Sequence, residues 1–156
     1  AFVYNSMSDG ELDEGSTWAA AMSAAHHQLD NLICLVDINN QQADGPSSKV
    51  LGFEPLADKW AACGWHVQRV DGNDVDALLR AFDSVSTEKP SVILCDTRIG
   101  CGVPLLETRE KAHFMRIDAD EWQICRDQLT ANSPSVNPVR DPGSEFADVS
   151  HSAECS

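Results

Sequence analysis

Residues 8–40 are SDGELDEGSTWAAAMSAAHHQLDNLICLVDINN, in which a turn, an alanine-rich stretch and an apolar run follow one another. After the turn at residues 8–10, residues 16–29 predict a helix, because apolar side chains recur at helical spacing, namely Trp18, Met22, Ala25 and Leu29. Residues 32–36 (LICLV) form the continuous apolar run that is typical of a strand buried on both faces of a parallel sheet. With residues 1–7 as a preceding strand, the stretch predicts a strand–helix–strand unit.

The same alternation of strands and helices continues along the chain. Polar residues with a Gly-Pro breaker predict a loop over 39–48. Beyond it, the pattern predicts helices over 56–63, 75–85 and 121–129, and strands over 66–70 and 91–95. Alternating elements predict an α/β fold, a parallel sheet flanked by helices on both faces, with ligands bound at the carboxyl ends of the strands.

The charge and composition of the chain exclude several classes of function. The 156 residues include 25 acidic and 11 basic side chains, and the resulting formal charge of −14 disfavours binding to nucleic acid or to anionic membranes. No run of about 18 apolar residues is present, so we expect no membrane span. The six cysteines form no CxxC pair, so we expect no zinc site and a reducing, cytoplasmic location.

The composition changes near residue 131. Residues 131–156 are rich in Ser, Pro, Asn, Asp and Gly and carry few large apolar groups, so burial would not offset the entropy cost of ordering them. We therefore expect a domain over residues 1–130 followed by a polar, flexible tail. A segment that docks on a partner is the alternative.

Two polar side chains are expected to meet at one edge of the predicted sheet. Asp9 follows the first predicted strand and Asn39 follows the second, and the carboxyl ends of adjacent parallel strands lie side by side. A carboxylate, an amide oxygen and a loop carbonyl are hard oxygen ligands of the kind that Mg²⁺ takes when it also binds a phosphate. The spacing equally allows a structural interpretation, in which Asp9 is a helix N-cap or Asx-turn residue and Asn39 a turn residue.

A longer pattern adds to this interpretation. Residues 8–45 are SDGELDEGSTWAAAMSAAHHQLDNLICLVDINNQQADG, followed by LADKWAACGWHVQRVDGNDVDALLRAF and KPSVILCDTRIGCGVP. The pattern resembles the signature of thiamine-diphosphate enzymes, and more specifically that of transketolases, over roughly residues 2–121. The resemblance implies the thiamine-diphosphate-binding fold, here expected without its first strands. It also implies thiamine diphosphate with Mg²⁺, or Ca²⁺ in its place, as cofactors.

The resemblance assigns four residues to the cofactor. Asp9 and Asn39 match the family's two side-chain metal ligands. Gln41 matches the position whose backbone carbonyl is the third protein ligand, and Gly10 matches the glycine that lets the main chain approach the diphosphate.

Two further residues match positions that take part in catalysis. Glu14 matches a glutamate at the dimer interface that resembling enzymes use in a relay between their two active sites. His113 matches a histidine that contacts cofactor or substrate, so the resemblance implies a cofactor-binding as well as a catalytic role for it. For His113 a solvent-facing histidine in a charged stretch is the alternative.

The chain departs from the family pattern at Ser8 and Ala19. Ser8 stands where the family has the first glycine of Gly-Asp-Gly, and because serine can occupy this turn we expect cofactor binding to be retained. Ala19 stands where the family has the glutamate that pairs with the one matched by Glu14, so we expect the carboxylate relay to be interrupted.

The chain is also shorter than the enzymes it resembles. Transketolase-like chains have a long segment before the Gly-Asp-Gly strand and a second domain after it, which supplies the glutamate that activates the cofactor. We expect a fragment or one subunit of a split enzyme that transfers a two-carbon ketol unit from a ketose to an aldose. Such a chain would act only with a pyrimidine-binding domain on another chain, in a homo- or heterodimeric assembly, on sugar or sugar-phosphate substrates. The alternatives are deoxyxylulose-phosphate synthase, the E1 component of a 2-oxo acid dehydrogenase, and a catalytically inert cofactor-binding module.

Overall fold

The structure, a computed structural model, describes residues 1–109 and 112–132. Its strands are β1 (Val3–Ser8), β2 (Leu32–Ile38), β3 (Gln41–Gln42), β4 (Gly45–Pro46), β5 (His66–Asp71) and β6 (Ser91–Asp96). Its helices are α1 (Gly15–His26), α2 (Ser47–Val50), α3 (Leu56–Ala62), α4 (Val75–Asp83), α5 (Pro104–Glu107) and α6 (Ala119–Asn132), and a 3₁₀ turn (Asp9–Asp13) lies between β1 and α1. The longer predicted strands and helices are all present, with ends that agree to within three residues.

The four long strands form one parallel sheet in the order β1-β2-β6-β5. Strands β2 and β6 lie in the centre and are mostly buried, as their apolar runs predict. Ser8 pairs with Asp37 in the register of β1 and β2, so the two strands end at the same level. Asp9 and Asn39 therefore leave the sheet at the same edge.

Two hydrophobic clusters lie on opposite faces of the sheet. On one face, α1 and α3 pack over alternate residues of the central strands, such as Cys34, Val36 and Leu94. On the other face, α4 packs over the intervening residues, including Ile33 and Ile93. The alternation follows from the period of two residues along a strand. The predicted α/β fold, with helices on both faces of a parallel sheet, is confirmed.

Helix α1 differs in detail from its prediction. It ends at His26, three residues before the predicted end, and Gln28 just beyond it adopts a left-handed backbone conformation with φ of 51°. Met22 and Leu29, which the helical spacing placed on the core face, are 56% and 42% exposed. Instead the small residues on α1, Ala21 and Ala24, are buried against the sheet, which allows a close approach of helix and sheet.

The predicted loop over 39–48 contains short regular elements. Strands β3 and β4 form a two-residue antiparallel pair, in which Gln42 lies opposite Gly45. Gly45 has a φ of 135°, a conformation that favours glycine. Helix α2 begins directly after β4, at Ser47. The segment after β2 is therefore a tight hairpin and not an open loop.

Most of the predicted tail lies outside the described residues, because α6 extends to Asn132 and residues 133–156 are not described. The tail therefore stays a prediction. Within residues 1–109 and 112–132, none of the helices has the length and apolar content needed to cross a membrane.

Candidate metal and cofactor site

Asp9 lies at the centre of the candidate site. It is the first residue of the 3₁₀ turn after β1 and is only 1% exposed. Ser8 occupies the cap position of that turn, and its backbone N–H donates to the Glu11 carboxylate at 2.7 Å. The interpretation of Asp9 as the N-cap is therefore wrong, since the cap is Ser8 and the Asp9 side chain is buried.

The Asp9 carboxylate accepts a hydrogen bond from the Ser47 hydroxyl at 2.9 Å, and the backbone N–H groups of Asn40 and Gly10 also interact with it. Burial raises the pKa of the Asp9 carboxyl, because desolvation disfavours its charged form. The hydrogen bonds from Ser47 and from the two amides oppose this effect, and the negative charge of Asp37 adds to it. The site thus holds a buried carboxylate that a cation would stabilise.

Asn39 follows β2, and its side-chain amide makes hydrogen bonds with one acceptor and one donor. Its side-chain nitrogen donates to the Asp37 carboxylate at 3.1 Å, and its side-chain oxygen accepts from the Gln41 backbone N–H at 2.9 Å. The second bond closes an Asx-turn, so the structural interpretation of Asn39 as a turn residue is confirmed. It does not exclude a ligand role, because a carbonyl oxygen has two lone pairs and the turn occupies one.

The predicted convergence of the two strand ends is present in the structure. Asn40, which lies between the two expected ligand positions Asn39 and Gln41, has a left-handed φ of 60° and directs its backbone N–H to Asp9. This turn brings the 39–41 segment against the buried carboxylate. The backbone of residues 39–41 therefore lies beside Asp9, while metal binding by Asp9, Asn39 and the Gln41 carbonyl stays a prediction.

The donor set of this group fits Mg²⁺. Within the described residues, no three His, Cys, Asp or Glu side chains are arranged as a metal site, so a site made only of such side chains is not found in this region. One buried carboxylate, one amide oxygen and a backbone carbonyl are nevertheless the hard oxygen donors that Mg²⁺ takes together with water and phosphate. Asp9, Asn39 and Gln41 could therefore hold a magnesium ion whose remaining ligands come from a diphosphate.

Space for a ligand lies beside this group. A cavity of about 370 Å³ is lined by residues 39–41, 44–46 and Lys49. At Gly10, an added Cβ would meet only the Gln42 side chain, at an ordinary contact distance of 3.8 Å. Packing within the protein therefore does not require glycine at position 10. The space beside the Gly10 backbone is open to a ligand. Lys49 adds a positive charge to the cavity wall.

The segment that carries His113 is attached to the same loop. The Gln41 side chain donates from Nε2 to the Arg109 carbonyl at 3.3 Å and accepts from the Ala112 N–H at 3.0 Å. His113 itself is exposed, with its ring edge-on to Phe114 at a centroid distance of 4.8 Å. The exposure agrees with the alternative of a solvent-facing histidine, while the contact of His113 with cofactor or substrate stays a prediction.

Glu14 and Ala19 lie at the start of α1. Glu14 occupies the N-cap position of this helix, and both residues are exposed. An interface role for Glu14 stays a prediction, and its surface position is compatible with it.

The sequence did not indicate three residues that shape the site. Asp37 accepts hydrogen bonds from Asn39 and from the Thr97 hydroxyl, and Ser47 contacts Asp9. Asp37 could have been noticed as a charged residue at the end of an apolar strand. The Ser47 contact spans 38 positions and the Thr97 contact 60, so neither is visible in a local pattern.

Comparisons with known proteins agree with this geometry. A family profile described as "Transketolase, thiamine diphosphate binding domain" matches residues 1–146. A transketolase family protein of Sinorhizobium fredii is 59% identical over 125 residues, which make up 78% of this chain and 45% of that protein. The 6-deoxy-6-sulfo-D-fructose transketolase subunit of a Clostridium species is 40% identical over 129 residues, 81% of this chain and 47% of that subunit.

Solved structures show the same similarity. Transketolase from Pichia stipitis in complex with sedoheptulose 7-phosphate matches with a TM-score of 0.74 and 28% identity, over 83% of this chain and 19% of that chain. The chain thus spans less than half the length of each of these three proteins.

Proposed function

The chain belongs to the transketolase family, whose thiamine-diphosphate-binding domain it matches over most of its length, and from this premise we propose that it anchors magnesium thiamine diphosphate in a transketolase assembled from more than one chain. The observation that carries the proposal is the convergence of the buried Asp9 carboxylate with the 39–41 turn. This arrangement offers oxygen donors at the carboxyl edge of a parallel sheet, where α/β proteins bind their ligands.

In this proposal each residue has a defined task. Asp9, Asn39 and the Gln41 carbonyl would hold the metal, which would neutralise diphosphate charge that a chain of net charge −14 otherwise repels. The open position at Gly10 would let the main chain approach the diphosphate. When bound, thiamine diphosphate supplies the nucleophilic carbon that carries a two-carbon unit from a ketose to an aldose.

His113 would bind an oxygen atom of the cofactor or the substrate, as a donor or an acceptor according to its protonation state. The Gln41 side chain supports this placement. Its hydrogen bonds to Arg109 and Ala112 attach the segment just before His113 to the 39–41 turn.

A second chain would complete the site. We propose that this partner carries the pyrimidine-binding domain and that sugars or sugar phosphates are the substrates. The Clostridium relative supports a multi-chain enzyme, since it is named as a subunit and this chain covers 47% of it. The exposed Glu14 would belong to the interface. We propose a reducing, cytoplasmic location, because the six cysteines of the sequence form no CxxC pair.

Ala19 favours a second candidate, a cofactor-binding module without activity. The relay glutamate expected at this position is absent, and Ala19 is exposed on α1, where that glutamate would meet a partner. Ketol transfer by the chain mixed with a pyrimidine-domain partner distinguishes the two candidates. We expect transfer in the mixture with Mg²⁺ and thiamine diphosphate, whereas cofactor binding without transfer would favour the inert module.

The anchoring role can be tested by calorimetry on matched variants. Asp9→Asn removes the charged ligand with little change in shape, and Asp30→Asn makes the same change at an exposed position before β2, at the opposite edge of the sheet. We expect Asp9→Asn to weaken Mg²⁺-dependent binding of thiamine diphosphate at least about tenfold. Asp30→Asn should leave it unchanged. Equal affinity of the two variants would overturn the proposal.

A further inference from the structure

We propose that Asp37 is a positioning residue that orients the Asn39 side chain so that its oxygen, and not its nitrogen, faces the metal. The inference rests on the proposed function for the presence of the metal. It concerns a residue that would touch neither metal nor cofactor and would act through Asn39.

The two ends of the Asn39 amide have nearly the same shape but opposite hydrogen-bonding character. The nitrogen can only donate and the oxygen can only accept. A metal ligand at this position requires the oxygen, so an amide that is free to rotate would present the wrong atom part of the time. A neighbouring group must therefore distinguish the two orientations.

The Asp37 carboxylate makes this distinction, because both of its oxygens accept hydrogen bonds, one from the Asn39 amide and the other from the Thr97 hydroxyl. It receives the Asn39 side-chain nitrogen at 3.1 Å. On the other side of the amide, the Gln41 N–H donates to the Asn39 oxygen at 2.9 Å. An acceptor on one side and a donor on the other select a single orientation of the amide.

Asp37 is itself held in place by the neighbouring strand. It lies on β2, and its second carboxylate oxygen accepts from the hydroxyl of Thr97, the residue that follows β6. The Thr97 backbone N–H donates to the Ile38 carbonyl at 3.0 Å, next to Asp37. The orientation of Asn39 is thus fixed by two central strands of the sheet and does not depend on the 39–41 turn alone.

The charge of Asp37 must be separated from its hydrogen bond in any test. A carboxylate near a metal ion attracts the ion through its charge, even when it makes no hydrogen bond to a metal ligand. Asp37→Asn removes both the charge and the exclusive acceptor, whereas Asp37→Glu keeps the charge and displaces the carboxylate by one methylene group. Asp71→Asn is the control for the loss of another carboxylate at the same edge of the sheet, because Asp71 ends β5, two strands from β2, and bonds the Asn73 N–H, not Asn39.

The orientation itself can be observed by NMR on the ¹⁵N-labelled full chain without any ligand. The Asn39 side-chain signal is the one that disappears in Asn39→Asp. In the wild type we expect slow hydrogen exchange for this amide group, since one proton is held by the carboxylate. In Asp37→Asn and Asp37→Glu the exchange should accelerate at least about tenfold, and in Asp71→Asn it should not. Unchanged exchange in both Asp37 variants would overturn the inference.

Metal binding is the second measurement, with Mn²⁺ and thiamine diphosphate as probes and electron paramagnetic resonance as the readout. We expect both Asp37 variants to bind Mn²⁺ roughly tenfold more weakly than the wild type, in the range seen when groups that orient a ligand are lost. A loss no larger than that of Asp71→Asn, or full affinity in Asp37→Glu, would show that only charge matters and would refute the inference.

The two proposals fail in different ways. If the wild type takes up no Mn²⁺, the anchoring function is refuted while the exchange measurement still decides the role of Asp37. If the Asp37 variants do not fold, Thr97→Val removes the support of Asp37 without a change of charge, and it should accelerate Asn39 side-chain exchange. An unaffected signal in folded Thr97→Val would then count against the inference.

Discussion

The Ser47 hydroxyl donates a hydrogen bond of 2.9 Å to the Asp9 carboxylate, and both residues are buried. Ser47 begins α2, after the hairpin that follows β2, and Asp9 begins the turn that follows β1. The bond therefore connects the segments after two neighbouring strands, and it holds the carboxylate at the edge of the sheet where we propose that the metal binds.

Ser47→Ala should destabilise the fold and raise the pKa of the Asp9 carboxyl further. The substitution removes a donor that favours the charged form of a buried group, at a cost of about 1–2 kcal/mol in the free energy of unfolding. Urea denaturation measures the first effect and the ¹³C shift of the Asp9 carboxyl the second. Ser48→Ala, at the exposed neighbouring position, is the control and should change neither quantity. A variant as stable as this control would contradict the prediction.

The pH dependence of stability should report the burial of Asp9. Because burial raises the pKa of the folded Asp9 carboxyl above its unfolded value, the folded protein keeps this proton to a higher pH than the unfolded chain does. The stability contributed by the group is therefore fully present below the unfolded pKa and is lost as the pH rises through the folded pKa. Asp9→Asn lacks this titration.

The measurement is the free energy of unfolding of the wild type minus that of Asp9→Asn, taken without metal over the acidic range. We expect this difference to fall as the pH rises. A difference that is constant, or that grows with pH, would show that the pKa of Asp9 is not raised.

Gly10→Ala should separate cofactor binding from stability. An added Cβ at position 10 meets only Gln42 at 3.8 Å, so the free energy of unfolding should change by no more than about 0.5 kcal/mol. The affinity for magnesium thiamine diphosphate should fall, because the methyl group stands where the main chain would approach the diphosphate. Gly15→Ala is the matched control, since nothing lies within 4 Å of a Cβ there. Equal cofactor affinity in the two variants would argue against a diphosphate at Gly10.

Ala19→Glu should restore coupling between active sites in the assembled enzyme. The position is exposed on α1, so the isolated chain should keep its stability to within about 0.5 kcal/mol. The new carboxylate at position 19 would then pair with Glu14 across the interface, as the corresponding two glutamates do in the enzymes that the chain resembles. Cofactor titration and turnover of the wild-type and variant assemblies measure the effect. Affinity and turnover that both remain unchanged would refute the role of this position.

Most of the fold could be predicted from apolar patterns because burial on two faces leaves a strong signal. The runs LICLV and SVILC mark the two central strands, β2 and β6, and both begin at the predicted residue. The end of α1 could not be predicted in this way, since it depends on the left-handed conformation of Gln28. The choice of Ala21 and Ala24 as the buried face depends on how closely the helix approaches the sheet.

The candidate site could be predicted only in part for a related reason. The grouping of Asp9 with Asn39 follows from strand order and register, which the alternation of elements already implies. The bonds from Ser47 to Asp9 and from Thr97 to Asp37 depend on side-chain geometry between segments that are distant in the sequence. Such contacts leave no periodic pattern, so they become visible only once the chain is folded.

Two buried tryptophans offer an internal comparison of hydrogen bonding in the core. Trp60 and Trp65 are 1% and 4% exposed, with ring centroids 4.8 Å apart. The Trp65 indole N–H donates to the Ala21 carbonyl at 2.8 Å, whereas the Trp60 indole N–H meets no acceptor among the described residues.

Replacement of either tryptophan by phenylalanine removes similar apolar volume but breaks a hydrogen bond only at Trp65. We therefore expect Trp65→Phe to cost about 1 kcal/mol more free energy of unfolding than Trp60→Phe, as measured by urea denaturation. If Trp60→Phe proved the more costly of the two, cavity formation and not the buried N–H would dominate at this position.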